Sequence, residues 1–158
     1  MELYTEVAGD GPEVAFVHAG ICDSRMWEPQ WAEYASSFRV LRCDLRGFGQ
    51  TPLESGIFSS AQDLVDVLDR HGFENVALVG NSLGGRVVME VAVAHPGLVR
   101  ALVLVAPGLP GHDWSEEMRA GWAEEEAALE AEGVQKFADS FDQIVESIRA
   151  KRSTLAAA

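Results

Sequence analysis

The chain has 158 residues, of which 47% are apolar, and it carries a formal net charge of −13. This length predicts one domain with a hydrophobic core, and the apolar content argues against disorder. The negative charge argues against nucleic acid or an anionic membrane surface as a partner. We find no apolar run of 18 residues and no basic-then-apolar N-terminus, and therefore expect a cytoplasmic protein without a membrane span or secretory signal.

Four short apolar runs predict buried strands, at residues 14–18, 39–44, 76–80 and 101–106. Helical patterns lie between them. Residues 26–36 carry an aromatic face made by Trp27, Trp31 and Tyr34, and the next helix has Ser60 as its predicted N-cap and Gly72 as its C′ glycine. A third helix starts near Gly85 and stops at His95-Pro96.

Apolar strands that alternate with amphipathic helices predict an α/β fold, in which a mostly parallel sheet is covered on both faces as a three-layer αβα structure. Ligands bind at the carboxyl edge of such sheets. The glycine-containing loops after residues 18, 44 and 80 should all lie on that edge.

The pattern changes after Ala106, beyond which no strand is predicted. Ser115, followed by two glutamates, favours the start of a helix, and Gly133 should end it. A second amphipathic helix follows, whose apolar stripe could cover a substrate pocket, pack on the sheet or bind a second chain. We therefore predict a core at residues 1–110 and a helical segment at 111–158.

The most informative motif is Gly80-Asn-Ser-Leu-Gly84, which follows a strand and precedes a helix. This arrangement is typical of a nucleophile elbow, in which a sharp turn lifts a serine above the sheet edge and small residues allow close packing. Ser82 is therefore the candidate nucleophile. The segment lacks the lysine of a P-loop and the spacing of a dinucleotide site, which argues against phosphate binding.

Three motifs together resemble the α/β-hydrolase fold superfamily over residues 3–106: Phe16-Val-His-Ala-Gly-Ile21, Asp44-Leu-Arg-Gly-Phe-Gly-Gln-Thr51 and Gly80-Asn-Ser-Leu-Gly-Gly85. Residues 115–152 resemble the helical cap of many members. The resemblance implies that Ser82 attacks an acyl group and that the backbone N–H groups of Leu83 and Gly20 form the oxyanion hole.

The resemblance also implies structural roles for His18 and for the loop of Asp44 and Arg46, which we expect to form an ion pair with each other. Arg46 could alternatively anchor a substrate anion. No metal or cofactor is expected. Cys22 and Cys43 do not form a C-x-x-C pair, which argues against a zinc knuckle. A disulfide between these cysteines is conceivable, but two reduced, partly buried thiols fit a cytoplasmic protein better.

In this superfamily the acid and the general-base histidine follow the serine in the chain. Here His112, beside Asp113, is the histidine that follows the third helix, and it is either a substitute base or a solvated loop residue. The triad is incomplete, so we expect a truncated α/β-hydrolase that acts poorly on a small-molecule acyl substrate, or that is completed by another chain. The alternative is a non-catalytic fragment that forms homo-oligomers through an exposed sheet edge.

Overall fold

The computed structural model describes residues 2–109, 111 and 115–132. Its sheet contains five strands in the order β1-β3-β2-β4-β5. Strand β1 pairs antiparallel with β3, and the remaining pairs are parallel. The strand bounds are Thr5–Ala8 for β1, Glu13–Val17 for β2, Arg39–Cys43 for β3, Val76–Asn81 for β4 and Val99–Val105 for β5. This confirms the predicted mostly parallel sheet.

The helices of the described residues are α1 at Glu28–Tyr34, α2 at Ser60–Arg70, α3 at Leu83–Ala94 and α4 at Glu116–Glu132. A 3₁₀ turn at Ser24–Trp27 precedes α1, so the single helix predicted over residues 26–36 is wrong in detail. The side chain of Asp23 accepts a hydrogen bond from the Arg25 N–H and caps this turn, and Pro29 lies in the first turn of α1, where proline is tolerated.

The two sheet faces form two separate cores because side chains alternate along each strand. On β2, Ala15 and Val17 belong to the core beneath α2 and α3, whereas Val14 and Phe16 pack with Trp27 on the other face. The Phe16 ring lies 5.3 Å from that of Trp27, between centroids. The predicted aromatic face therefore exists, and helices cover both faces of the sheet.

Strand β1 was not predicted from the sequence. It has only four residues, and most of its side chains are partly exposed, so it lacks the continuous apolar run that marks the parallel strands. It closes the edge of the sheet beside β3.

The start of α2 differs by one residue from the prediction, because Ser59 and not Ser60 is the N-cap. The Ser59 hydroxyl accepts a hydrogen bond from the Gln62 N–H at 3.2 Å. Gly72 follows the helix with a φ of 65°, as expected of a C′ glycine.

Both cysteines are free thiols, in agreement with the preferred interpretation. Burial raises the pKa of Cys43 to about 12. Cys22 is half-buried, and desolvation also raises its pKa, helped by the nearby charge of Asp23.

The chain divides into two compact units, Met1–Gly111 and His112–Ala158. In the second unit, Ser115 caps α4 as predicted, since its hydroxyl accepts a hydrogen bond from the Met118 N–H at 3.3 Å. The predictions for Gly133 and for the amphipathic helix that follows it fall outside the described residues. Within the described ranges, the strands end with β5, and no helix has the length and apolarity needed to cross a bilayer.

Candidate functional site

Ser82 occupies the single position between β4 and α3, at the carboxyl edge of the sheet. Ser82 is exposed. Its backbone has φ 50° and ψ −109°, a conformation that residues other than glycine rarely adopt. Helix α3 begins directly after it at Leu83 and not near Gly85 as predicted. The turn is therefore sharper than the sequence pattern indicated.

The glycines of the motif are required by close backbone contacts. A Cβ on Gly80 would lie 2.4 Å from the carbonyl oxygen of Gly84, and a Cβ on Gly84 would lie 2.3 Å from the carbonyl oxygen of Val17. Both distances are far below van der Waals contact, and the opposing atoms belong to the backbone. The start of α3 can therefore pack onto β2 and β4 only where these side chains are absent.

Backbone hydrogen bonds hold the turn on both sides. The Ser82 N–H donates to the Val105 carbonyl at 3.0 Å, and the Ser82 carbonyl accepts from the N–H groups of Arg86 at 3.1 Å and Gly108 at 2.9 Å. The Gly84 N–H donates to the carbonyl of His18 at 3.1 Å. Sequence reasoning missed the contribution of Val105, which ends β5, and of Gly108, which follows that strand.

The backbone of Gly20 lies beside the start of α3. A Cβ placed on Gly20 would meet the Cβ of Leu83 at 3.4 Å, so the two residues are in close proximity. Leu83 is the first residue of the helix, and its N–H has no acceptor within the helix. A helix N-terminus also favours negative charge through the helix dipole. This arrangement can stabilise an anion that forms next to Ser82.

His18 is fully buried and uses both ring nitrogens. Nε2 accepts a hydrogen bond from the Leu45 N–H at 2.9 Å, which assigns the proton to Nδ1, and Nδ1 donates to the Ala19 carbonyl at 2.7 Å. Burial lowers the pKa of His18, although the Ala19 carbonyl and the carboxylates of Asp44 and Asp23 act in the opposite direction. The neutral ring therefore ties the loop after β2 to the loop after β3.

The expected ion pair between Asp44 and Arg46 is wrong. The two carboxylate oxygens of Asp44 accept backbone hydrogen bonds from Ser24 and Gln50, each at 2.8 Å. Arg46 instead forms a bidentate pair with Asp63 of α2, with two distances of 2.6 Å. Each oxygen of Asp44 is bound by an amide of the surrounding loops, whereas Asp63 lies in the first turn of α2 within reach of the guanidinium.

This pairing also argues against Arg46 as an anchor for a substrate anion. Its guanidinium is committed to Asp63 and lies over the Phe58 ring, 5.1 Å from the centroid. The role of Asp63 could have been suspected from its position in the first turn of α2, but nothing local in the sequence links it to Arg46.

The other described histidines, His71 and His95, end α2 and α3. Each of these helices runs back to the start of the next parallel strand, so both histidines lie at the sheet edge opposite Ser82. His112 lies outside the described residues. Within the described part of the chain, no histidine is placed to act as a base on Ser82.

A polar cavity of about 460 Å³ lies away from Ser82, beside β1 and β3. Its buried cation, Arg42, is paired with Glu6 and Glu28 and lies over the Trp31 ring. The Arg42 guanidinium is therefore already paired, and the four carboxylates of the cavity lining outnumber its two guanidinium groups. Among the described residues, no group of three or more His, Cys, Asp or Glu side chains is arranged to hold a metal ion.

Comparison with known proteins gives consistent results. The family model described as alpha/beta hydrolase fold matches residues 12–147. An uncharacterized protein of Mycobacterium tuberculosis is 38% identical over 108 residues, which cover 65% of this chain and 31% of that protein. A pimeloyl-[acyl-carrier protein] methyl ester esterase of Pseudoalteromonas atlantica is 32% identical over 120 residues, covering 72% of this chain and 45% of the esterase.

Among solved structures, a thermophilic esterase from Thermogutta terrifontis is 30% identical with a TM-score of 0.67, covering 75% of this chain and 44% of that one. The chain thus spans less than half the length of these relatives. Three observations indicate the same family: the order of the strands, the turn at Ser82 and the family match over most of the sequence. The chain belongs to the alpha/beta hydrolase fold family.

Proposed function

We propose that Ser82 is the nucleophile of an acyl hydrolase that acts on a small-molecule ester, thioester or similar acyl compound. The observation that carries this proposal is the exposed Ser82 side chain, held at φ 50° between β4 and α3 at the carboxyl edge of the sheet. A strained, exposed serine at that edge is the signature of a nucleophile elbow. The esterase relatives support an ester substrate.

In the proposed reaction, Ser82 Oγ attacks the acyl carbonyl carbon while a base takes the hydroxyl proton. The carbonyl oxygen becomes an oxyanion, which receives hydrogen bonds from the N–H groups of Leu83 and Gly20. When the intermediate collapses, the leaving group departs with the proton, and water then releases the acyl group from Ser82 by the reverse sequence. One oxyanion-hole donor lowers the barrier of such a reaction by roughly 3 kcal/mol.

Among the residues that the structure describes, none is placed to act as the base. A serine without a base is a poor nucleophile at neutral pH, and the oxyanion hole alone supports only residual catalysis. We propose that the base is either His112 or a histidine supplied with its acid by another polypeptide. The two free thiols support a reducing compartment, the cytoplasm, as the place of action.

A fluorophosphonate probe tests the proposal, because it reacts with activated serines. We expect stoichiometric labelling that is lost in Ser82→Ala and retained in Ser36→Ala, which removes an exposed serine that ends no strand. Labelling that also disappears in His112→Gln would identify the base. Absence of labelling, or labelling that survives Ser82→Ala, would refute Ser82 as an activated nucleophile in this chain.

We also propose a second function, self-association, because of the exposure of β5. This strand lies at the edge of the described sheet, and four consecutive apolar residues, Leu102 to Val105, are each 36–49% exposed. An apolar edge strand favours pairing with another strand, and the proposed occupant is a second copy of the chain.

Light scattering on the full chain tests this association. We expect a dimer that dissociates in Val103→Lys and persists in Val7→Lys, which places the same charge on the opposite edge strand β1. A monomer at high protein concentration would refute the association.

A further inference from the structure

We propose that residues 105–108 form a backbone clamp, which begins with the last residue of β5 and continues into the loop after it. The clamp positions the Ser82 turn and orients the Leu83 N–H. The role of the clamp in catalysis rests on the proposed function. Its effect on the geometry of the turn does not.

The clamp holds Ser82 from both ends. The Val105 carbonyl accepts the Ser82 N–H at 3.0 Å, and the Gly108 N–H donates to the Ser82 carbonyl at 2.9 Å. The N–H precedes the φ rotation of Ser82 and the carbonyl follows its ψ rotation. Fixing both groups on one neighbouring segment therefore opposes relaxation of the unfavourable φ of 50°.

The second bond also sets the direction of the oxyanion donor. The Ser82 carbonyl and the Leu83 N–H belong to one planar trans peptide unit, in which they point in opposite directions. The Arg86 N–H, at 3.1 Å, and the Gly108 N–H both bind the carbonyl oxygen, and the Leu83 N–H therefore points away from them. Gly108 is thus a positioning residue that acts through the peptide group and touches no substrate.

The clamp itself is packed and strained. Ala106 has a φ of 42°. Among the described residues other than glycine, Ala106 and Ser82 are the two with a positive φ. Pro107 packs against the start of α3, where a Cβ on Gly85 would lie 2.8 Å from the Pro107 Cβ. Ala106 lies in the chain between Val105 and Gly108, the two residues that bind Ser82, and this second unfavourable φ indicates that the fold imposes the geometry.

The sharpest test deletes one hydrogen-bond donor without changing shape. Replacing Gly108 by glycolate converts its amide to an ester and removes the N–H. The same replacement at Gly97 is the control, since the Gly97 N–H donates no hydrogen bond to another described residue. We expect amide hydrogen exchange at Ser82 to become roughly fivefold faster or more with the ester at 108, the scale of one lost hydrogen bond. The ester at 97 should leave it unchanged.

Simple substitutions provide a second test that does not depend on ester synthesis. Gly108→Ala keeps the N–H, and its Cβ would lie 3.6 Å from Ser82 O, an ordinary contact. Amide hydrogen exchange at Ser82 in Gly108→Ala should therefore be as slow as in the wild type. Ala106→Val should accelerate exchange at Ser82, because a β-branched residue resists positive φ, whereas Ala106→Gly should not. Equal exchange at Ser82 in all variants would overturn the clamp.

The fluorophosphonate reaction separates the clamp from the proposed function. With a reactive wild type, the ester at 108 should lower the maximal labelling rate and leave the half-saturating probe concentration unchanged. A labelling rate equal to that of the ester at 97 would overturn the aiming role. If the wild type is not labelled, the proposed function fails, while hydrogen exchange still decides whether the clamp holds the turn.

Discussion

The contact between Gly84 and β2 yields a quantitative prediction for Gly84→Ala. A Cβ at this position would lie 2.3 Å from the Val17 carbonyl oxygen and 2.6 Å from that of His18. Real Cβ contacts are essentially never below 3.0 Å, so the helix must retreat by at least about 0.7 Å, the difference between 3.0 and 2.3 Å. The two carbonyls belong to the end of a central strand and its loop and cannot rotate away.

Two opposing effects decide the sign for Gly84→Ala. Alanine favours a helix over glycine by about 1 kcal/mol, whereas overpacking costs about 1–3 kcal/mol. The retreat also weakens the hydrogen bond from the Gly84 N–H to the His18 carbonyl, which contributes about 1 kcal/mol. We therefore expect a net loss of about 1–3 kcal/mol in the free energy of unfolding.

Urea denaturation followed by tryptophan fluorescence measures this loss, since Trp27 is buried. The matched control is Gly97→Ala, where the added methyl group meets nothing within 4 Å, and its stability should change little. A Gly84→Ala protein as stable as wild type or as Gly97→Ala would refute the argument that close backbone packing requires this glycine.

Three further predictions concern the site. In a double-mutant cycle, Arg46→Met and Asp63→Asn should couple, whereas Arg46→Met and Asp44→Asn should be additive, as unfolding free energies in urea will show. Because burial lowers the pKa of His18, the unfolded state binds a proton more readily than the folded state below the ordinary value of 6.5, and stability should therefore decrease as the pH falls below that value. At pH 5.5 the free energy of unfolding should be lower by at most about 1.4 kcal/mol, and this loss should be absent in His18→Asn. Urea denaturation at pH 5.5 and at a pH above the ordinary pKa of histidine measures it. Finally, Ser82→Gly should be more stable than Ser82→Ala by about 1 kcal/mol, since glycine relieves the positive φ; equal melting temperatures would contradict the strain.

The sequence predicted the parts of the fold that have strong local patterns. The parallel strands are continuous apolar runs, and the motif around Ser82 needs glycines that are visible in the sequence, so both were found. Strand β1 has no such pattern, because it is short and partly exposed at a sheet edge. Its existence depends on pairing with β3, which is distant in the chain.

The same distinction applies to the site. The role of Ser82 follows from a local motif, but the partners of charged and backbone groups depend on the assembled fold. Arg46 pairs with Asp63, 17 residues away, and not with the carboxylate two positions before it. The contribution of Gly108 arises because β4 and β5 are neighbours, and no residue type marks a backbone donor in the sequence.

The two free thiols differ in a way that experiments can use. Cys43 is inaccessible and resists ionisation, whereas Cys22 is half-buried and lies two residues beyond Gly20. A small alkylating reagent at mildly alkaline pH should therefore modify Cys22 selectively. A fluorescent or fluorine-bearing reagent would then give an optical or magnetic signal from the segment beside the nucleophile, in the unaltered wild-type sequence.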